Sequence, residues 1–317
     1  MTRDLAMPEA ACRKRRSMPL RGKSMIFEIG NDCLSVTIED TGAQILSVKD
    51  RAGTEYMWQR NPDIWPRTAP VLFPVIGRLR DNAYTVNEKT YTMARHGFAR
   101  NLLFTATERT QSTLVLSVFS DEKTKECYPY DFSLEISYQL DGARLIKTHT
   151  VINRSRNEMF FELGGHDGFR VALETGERMA DYYIRFEGET ELHPRLKTGS
   201  PLFSDGRGTL PLDEGKLWLD MALFREGALV LDRLQARKVL LCNAKGSRRL
   251  TFAFPNFPIL GIWTPYKPFE TNFVCLEAWS SLPDSVTAGP ALSSKERVCK
   301  LEAYGRRCFR YTTGFPL

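Results

Sequence analysis

The chain has 317 residues, of which 26% are charged and 11% are aromatic. This composition can build a hydrophobic core, and it excludes disordered and collagen-like chains. The net charge of +6 is concentrated in residues 1–24, where seven basic side chains face two acidic ones, so the rest of the chain is nearly neutral. The longest uncharged stretch, 250–266, contains three prolines, which a membrane-spanning helix tolerates poorly. We therefore expect neither a nucleic-acid partner nor a membrane partner.

Residues 1–24 lack the apolar core of a secretory signal, and the first strand-like pattern begins at Met25. We predict a disordered basic extension over 1–24 and a single domain over 25–317. Seven cysteines, an odd number without a C-x-x-C pair, indicate reduced thiols and a cytoplasmic protein. The sequence leaves open whether the protein is a monomer or a dimer.

Alternating apolar and polar residues predict antiparallel strands along the whole chain after Met25. The predicted strands are 35–38, 44–48, 55–58, 84–86, 91–93, 104–108, 114–119, 132–140, 145–152, 159–163, 182–186, 228–231, 238–242, 250–254 and 273–279. The clearest hairpin joins 132–140 to 145–152 through the tight-turn dipeptide Asp141-Gly142. Only 121–127 and 217–224 have a helical pattern. These elements predict an all-β antiparallel sandwich with few short helices.

Several common motifs are absent from the sequence. It contains no P-loop, no G-x-G-x-x-G after a strand, no G-x-S-x-G and no H-E-x-x-H. Nucleotide, dinucleotide and common hydrolase chemistries are therefore disfavoured.

Two of the four histidines stand in unusual settings. His96 is followed by a glycine and flanked by arginines, and His166 follows two glycines at the end of a predicted strand. Glycine permits tight bends and close approach, so both imidazoles are candidates for ligand contact, although each can equally be a structural histidine in a turn. His149 and His193 have no such setting and are predicted to be structural.

The predicted strand 273–279 carries one acid, Glu277, between aromatic residues. Alternation places Glu277 and Trp279 on one face of that strand. Poor solvation would raise the pKa of Glu277 toward the range of a general base. The alternative is an edge glutamate that Trp279 merely covers.

Four segments then follow one another in the order of a known family. They are FPVIGRL at 73–79, HGFAR at 96–100, GGH at 164–166, and LEAW at 276–279 followed by LPD at 282–284. In order and spacing the chain resembles the aldose 1-epimerase (galactose mutarotase) family, and the first two segments are similar to its shorter bacterial LacX-like branch. The departures are Asp167 and Ala278, where family members usually have proline, and they affect the local backbone and the substrate preference.

The resemblance implies a galactose-mutarotase-like β-sandwich that binds a monosaccharide on its concave face without metal or cofactor. It implies Glu277 as the base at the anomeric hydroxyl and His166 as the acid at the ring oxygen. It also implies His96 as a second hydrogen-bonding imidazole, with Arg78 and Asp232 on sugar hydroxyls.

The implied reaction interconverts the α and β anomers of a hexose by acid–base ring opening and closure. It needs one base and one acid, each of which contributes about 10²–10⁴-fold. Trp263 and Trp279 are candidate platforms for the apolar face of a galactose- or glucose-like sugar, or ordinary core aromatics.

Three alternatives to this reaction remain open. Arg78, Arg80, Arg95 and Arg100 could include a phosphate clamp, which predicts a hexose-6-phosphate mutarotase. Two histidines and a carboxylate could bind iron or zinc, although the sequence lacks an H-x-H pair. The fold could also serve a non-catalytic carbohydrate-binding or sensing protein.

Overall fold

Period-two sequence patterns build almost all of the regular structure in the computed structural model, which describes residues 24–197, 202–246 and 249–316. The predicted basic extension, apart from Ser24, lies outside the described residues. The strands are β1 (Ile26–Gly30), β2 (Leu34–Glu39), β3 (Gln44–Asp50), β4 (Val71–Leu72), β5 (Ala83–Val86), β6 (Lys89–Thr92), β7 (Thr105–Arg109), β8 (Thr113–Phe119), β9 (Phe132–Asp141), β10 (Arg144–Asn153), β11 (Met159–Phe161), β12 (Gly164–Gly165), β13 (Asp167–Arg170), β14 (Tyr182–Phe186), β15 (Glu191–Leu192), β16 (Arg195–Lys197), β17 (Phe203–Arg207), β18 (Leu210–Pro211), β19 (Lys216–Trp218), β20 (Leu229–Leu231), β21 (Lys238–Asn243), β22 (Arg249–Ala253), β23 (Ile259–Trp263), β24 (Phe273–Trp279), β25 (Cys299–Leu301) and β26 (Arg306–Gly314).

One α-helix, α1 (Glu122–Cys127), is found in the described part of the chain, and Asp121 caps it by accepting a hydrogen bond from Thr124 N at 2.8 Å. Short 3₁₀ turns occupy Arg80–Asn82, Ala99–Asn101, Met179–Asp181, Met221–Phe224 and Leu292–Ser294. No described helix has the length and apolar character needed to cross a membrane.

Two antiparallel sheets dominate the architecture. The larger has the strand order β19-β14-β21-β22-β26-β10-β9-β8-β7, and the smaller has the order β20-β23-β24-β12-β4, with β13 also paired to β24. Their inward-facing residues share one hydrophobic cluster, which includes Leu134 and Ile136 of β9 and Val274, Leu276 and Ala278 of β24. The chain is therefore the predicted all-β sandwich, with its core between the two sheets.

A buried polar bridge joins the sheets inside that core. Lys147 of β10 is 1% exposed and places its Nζ 3.2 Å from Asp167 Oδ1 of β13. Tyr311 of β26 donates a hydrogen bond to Asp167 Oδ2 at 2.8 Å. Either charge alone, the Lys147 ammonium or the Asp167 carboxylate, would be costly to bury in a dry core. Each is therefore tolerated there only because the other is present.

The structure confirms the strongest local predictions. The hairpin turns at Asp141-Gly142, with Asp141 opposite Arg144, and the helix predicted at 121–127 is α1. The helix predicted at 217–224 is wrong in its first half, because β19 extends to Trp218 and the Asp220 side chain accepts from Ala222 N at the start of a 3₁₀ turn. The strand predicted at 55–58 is reduced to isolated bridges.

We predict that Lys147→Ala lowers the free energy of unfolding by about 3–5 kcal/mol, because it leaves the Asp167 carboxylate buried without its cation. Urea denaturation followed by circular dichroism measures this difference. Lys49→Ala, which removes an exposed lysine, should change it by about 0.5 kcal/mol or less. Equal effects of the two substitutions would contradict the structural role of the bridge.

Candidate active site

The pairing of β12 and β13 with β24 sets the position of His166. Gly164 of β12 pairs with Trp279, and Asp167 of β13 pairs with Leu276. Counting inward from both pairs, the intervening His166 lies opposite Glu277. Opposed residues in an antiparallel pair have neighbouring side chains, so the backbone register alone brings the imidazole and the carboxylate together.

The two groups are close and almost completely buried. His166 Nε2 lies 3.3 Å from Glu277 Oε2, and the side chains are 7% and 1% exposed. This contact lacks hydrogen-bond geometry. Glu277 Oε2 and His166 Nδ1 are both buried without a hydrogen-bond partner among the described residues. Buried polar atoms are normally paired, so these two atoms retain hydrogen-bonding capacity that no described residue uses.

Burial shifts the pKa values of Glu277 and His166 in the directions that favour their uncharged forms. It raises the pKa of Glu277 from 4.5 to about 8, with the Arg95 guanidinium opposing the shift. It lowers the pKa of His166 from 6.5 to about 3, with Arg95 adding to the shift. Near neutral pH these shifts favour a protonated carboxyl group on Glu277 and a neutral imidazole on His166.

Aromatic side chains create this dry environment around His166. The ring of Trp65 stacks on the His166 ring with centroids 5.0 Å apart, and Trp263 of β23 meets it edge-on at 5.3 Å. Trp65 in turn stacks nearly parallel on Phe273 at 5.5 Å. These rings limit the rotation of the imidazole as well as its access to water.

His96 reaches the same site from a strained loop. Its φ is 65°, in the left-handed region that non-glycine residues rarely adopt. The next residue, Gly97, is also left-handed, and a Cβ there would lie 2.1 Å from the Phe73 carbonyl oxygen. The FPVIGRL and HGFAR segments therefore pack backbone against backbone, which only glycine allows at this point.

The tautomer of His96 follows from its hydrogen bonds. Gly77 N donates to His96 Nδ1 at 3.0 Å, and Arg95 Nε approaches His96 Nε2 at 3.1 Å. A neutral imidazole has one N–H, so only one of its nitrogens can accept. We assign the buried backbone bond to Nδ1, which leaves Nε2–H as a donor and gives Arg95 no acceptor on this ring. Burial, and then the nearby His166 and Arg95, hold the pKa of His96 well below 6.5. The imidazole of His96 is therefore neutral at neutral pH.

A second buried polar cluster fastens the segment that carries Arg78. Glu162 is fully buried and accepts from Ile76 N at 2.7 Å. Lys295 Nζ lies 3.4 Å from Glu162 Oε1 and also forms an ion pair with Asp284. Asp284 Oδ2 accepts from Arg80 N at 2.9 Å. The backbone is therefore held on both sides of Arg78, at Ile76 by Glu162 and at Arg80 by Asp284.

These elements enclose a cavity of about 180 Å³. Its buried side is lined by His96, His166, Glu277 and Trp279, while the Arg78 and Arg95 side chains are exposed. Lys197, at the end of β16, lines the cavity as well.

Six of the seven residues predicted from the sequence line this one cavity, namely Glu277, His166, His96, Arg78, Trp263 and Trp279. Asp232 does not line it. Its carboxylate accepts from Arg195 Nη2 and from Arg207 Nη2, each at 2.7 Å, so it is occupied by two guanidinium groups.

Sequence reasoning missed Trp65 and Lys197. Trp65 lies in an irregular loop, and Lys197 ends a three-residue strand, so no motif or periodic pattern distinguishes either residue. Of the proposed arginine clamp, Arg78 and Arg95 line the cavity, whereas Arg80 lies beside Asp81 and Arg100 donates to the Arg95 carbonyl.

The remaining histidines lie outside the cavity. His149 is fully buried between Tyr311 and Phe257, and His193 lies 3.3 Å from Glu191 on the surface. In the described ranges, no group of three or more histidine, cysteine or acidic side chains could hold a metal ion.

A protein-family model described as aldose 1-epimerase matches residues 25–296 of the chain. The chain belongs to the aldose 1-epimerase family. Protein LacX, encoded on a plasmid of Lactococcus lactis subsp. lactis, is 33% identical over an alignment of 285 residues that covers 87% of this chain and 95% of LacX.

Solved structures agree with this family assignment. A galactose mutarotase related enzyme from Lactobacillus acidophilus is 32% identical and superposes with a TM-score of 0.87, over 92% of this chain and 98% of its own. A galactose mutarotase-like protein from Lactobacillus casei is 25% identical, with a TM-score of 0.85 over 92% and 100% of the two chains. The aldose 1-epimerase family acts on sugar substrates.

We predict that Trp65→Ala raises the pKa of His166 from about 3 toward 6.5, because removal of the stacked indole admits water. Histidine ring signals in an NMR pH titration measure this change, with His166 identified by the signal lost in His166→Ala. Trp218→Ala, which removes a surface indole, should leave the His166 titration unchanged. A wild-type His166 that titrates near 6.5 would refute the effect of burial on this imidazole.

Proposed function

We propose that this member of the family is an aldose 1-epimerase that interconverts the α and β anomers of a hexose. The observation that carries the proposal is the buried pair His166 Nε2 and Glu277 Oε2, 3.3 Å apart on opposed backbone positions. The two reacting oxygens of a cyclic aldose, the anomeric hydroxyl and the ring oxygen, are bonded to the same carbon. An acid and a base that serve both must therefore be neighbours.

The proposed reaction has three steps. The base removes the proton from the C1 hydroxyl while the acid protonates the ring oxygen, so the bond between C1 and the ring oxygen breaks and C1 becomes an aldehyde. Rotation about C1–C2 presents the other face of the aldehyde. The reverse transfers then close the ring and return each proton, so no net acid, base or redox equivalent is consumed.

The shifted titrations give the pair a single proton over a wide range of pH. Above about 3 the imidazole is neutral, and below about 8 the carboxyl group is protonated. One proton on two neighbouring groups supplies one acid and one base, whichever member holds it at rest. In the proposal, substrate binding brings the nitrogen and the oxygen, 3.3 Å apart without hydrogen-bond geometry, into a hydrogen bond. The proton then passes from Glu277 to His166, which leaves Glu277 as base and His166 as acid.

The surrounding groups fit supporting roles. His96 lines the cavity, and in the proposal its Nε2–H donates to the ring oxygen as negative charge develops there. Trp263 and Trp279 provide apolar surface for the C–H face of the sugar, and the exposed Arg78 guanidinium can donate to hydroxyl groups at the cavity mouth. This chemistry requires no participant beyond the side chains and a monosaccharide.

We predict that Glu277→Gln and His166→Gln each reduce kcat by about 10²–10⁴-fold, because each removes one of the two proton-transfer groups. Polarimetry of freshly dissolved α-D-galactose and α-D-glucose measures the rate after subtraction of the spontaneous reaction.

The matched controls are Glu191→Gln and His193→Gln, an exposed acid–imidazole pair at the same 3.3 Å separation. They should retain full activity. Catalysis that survives in both cavity variants would reject the proposed pair, whereas tight sugar binding without any turnover in the wild type would favour a binding or sensing protein.

The pH dependence offers an independent prediction. The rate should fall as pH rises through about 8, where Glu277 loses the shared proton, and as pH falls through about 3, where His166 gains a second one. A pair with ordinary pKa values of 4.5 and 6.5 would instead lose activity already above pH 6.5. Initial rates between pH 4 and 9.5, with circular dichroism as a check on folding, distinguish the two curves.

A further inference from the structure

Three cationic side chains converge on the cavity of the proposed epimerase. Arg78, Arg95 and Lys197 all line it, although they come from three separate parts of the chain. The two arginines are exposed at its mouth, while the Lys197 ammonium is half-buried beside Phe203, 4.9 Å from the centroid of that ring.

Among the described residues that line the cavity, no ionised carboxylate balances these cations. Glu277 is the only acid among the described residues that line it, and burial keeps its carboxyl group protonated at neutral pH. The Arg78 side chain makes no hydrogen bond or ion pair with any described residue. The Arg95 guanidinium lies beside His96 Nε2 at 3.1 Å, a neutral ring that brings no negative charge, and Lys197 Nζ donates to the carbonyl oxygen of Glu226 at 2.9 Å.

Several buried cations elsewhere in the described protein are paired with acids. Arg195 and Arg207 share the Asp232 carboxylate, Lys147 is paired with Asp167, and Lys295 is paired with two acids. The cations of the cavity also repel one another, since the Arg95 charge adds to burial in lowering the pKa of Lys197, with Glu226 opposing the shift. An anion from outside the chain would relieve this repulsion, whereas a neutral sugar would not.

We infer that the substrate of this site is a phosphorylated aldose, whose phosphate group is bound by Arg78, Arg95 and Lys197 while the anomeric centre meets His166 and Glu277. The inference rests on the proposed epimerase function and specifies its substrate class. A phosphate monoester carries up to two negative charges and three acceptor oxygens, which suits two forked guanidinium groups and one ammonium. A sugar carboxylate has only one charge and two oxygens, so it could not neutralise two guanidinium groups and one ammonium.

The test compares kcat/KM for matched sugars. Polarimetry or anomeric-proton NMR exchange is carried out with α-D-glucose, α-D-glucose 6-phosphate, α-D-galactose, α-D-galactose 6-phosphate and D-galacturonate, each corrected for the reaction without protein. We expect each phosphorylated sugar to exceed its neutral counterpart by about tenfold or more, and galacturonate to fall below the phosphates. Inorganic phosphate should inhibit competitively.

Lys197→Met tests the anion site directly, because Lys197 touches neither His166 nor Glu277. We expect it to reduce the preference for phosphorylated over neutral sugar by about tenfold, chiefly through a higher KM. Lys49→Met removes one exposed charge outside the cavity lining and should leave the preference unchanged, which separates a local effect from the loss of net charge.

The outcomes separate the substrate class from the function. Equal or faster turnover of neutral sugars, with a preference that Lys197→Met does not alter, would overturn the phosphate inference and leave the epimerase intact. If no sugar is turned over, calorimetric titration decides. Binding of a hexose 6-phosphate that weakens in Lys197→Met would support the anion site after the proposed function had failed, and equal binding of neutral and phosphorylated sugars would overturn it.

Discussion

The backbone register between β24 and the broken strand β12–β13 is the constraint on which the site depends. It places His166 and Glu277 opposite each other, and both side chains then point into a space closed by Trp65, Trp263 and Trp279. A shift of this register by one residue would turn the pair to the opposite faces of the sheet. Gly165 helps to hold it, because a Cβ there would lie 2.4 Å from the Tyr311 hydroxyl, so the strand can lie this close to β26 only without a side chain.

Buried ion pairs give this register its support. Asp167 faces away from the cavity, next to His166 in the chain, and binds Lys147 and Tyr311 from the opposite sheet. Glu162, Lys295 and Asp284 do the same for the segment of Arg78. Such pairs add little net stability compared with apolar packing, but breaking one is expensive. In this protein they limit the arrangements available to the segments that carry His166 and Arg78.

How far the sequence predicts this protein depends on the range of each interaction. The β9–β10 hairpin, α1 and the alternation in β24 follow from neighbouring residues, and the sequence predicts them correctly. The sequence also predicts that His96, His166, Glu277 and Arg78 share one site, because their motifs occur in the order of a known family. By contrast, β23 and β26 are not predicted, because their local sequence patterns do not differ from those of the flanking residues. Lys197, Trp65 and the two arginines on Asp232 depend on contacts between distant segments, so no local signal reveals them.

The position of β26 has a consequence for how the chain reaches this structure. β26 pairs with β10 on one side and β22 on the other in the middle of the large sheet, although it lies far from β10 in sequence. Until it is inserted, β9–β10 and β21–β22 each present an open edge, and Asp167 lacks its tyrosine. Pairings between such distant segments close large loops and slow folding. Assembly of the strands that support His166 should therefore be among the late events, exposed to wrong strand pairing before it completes.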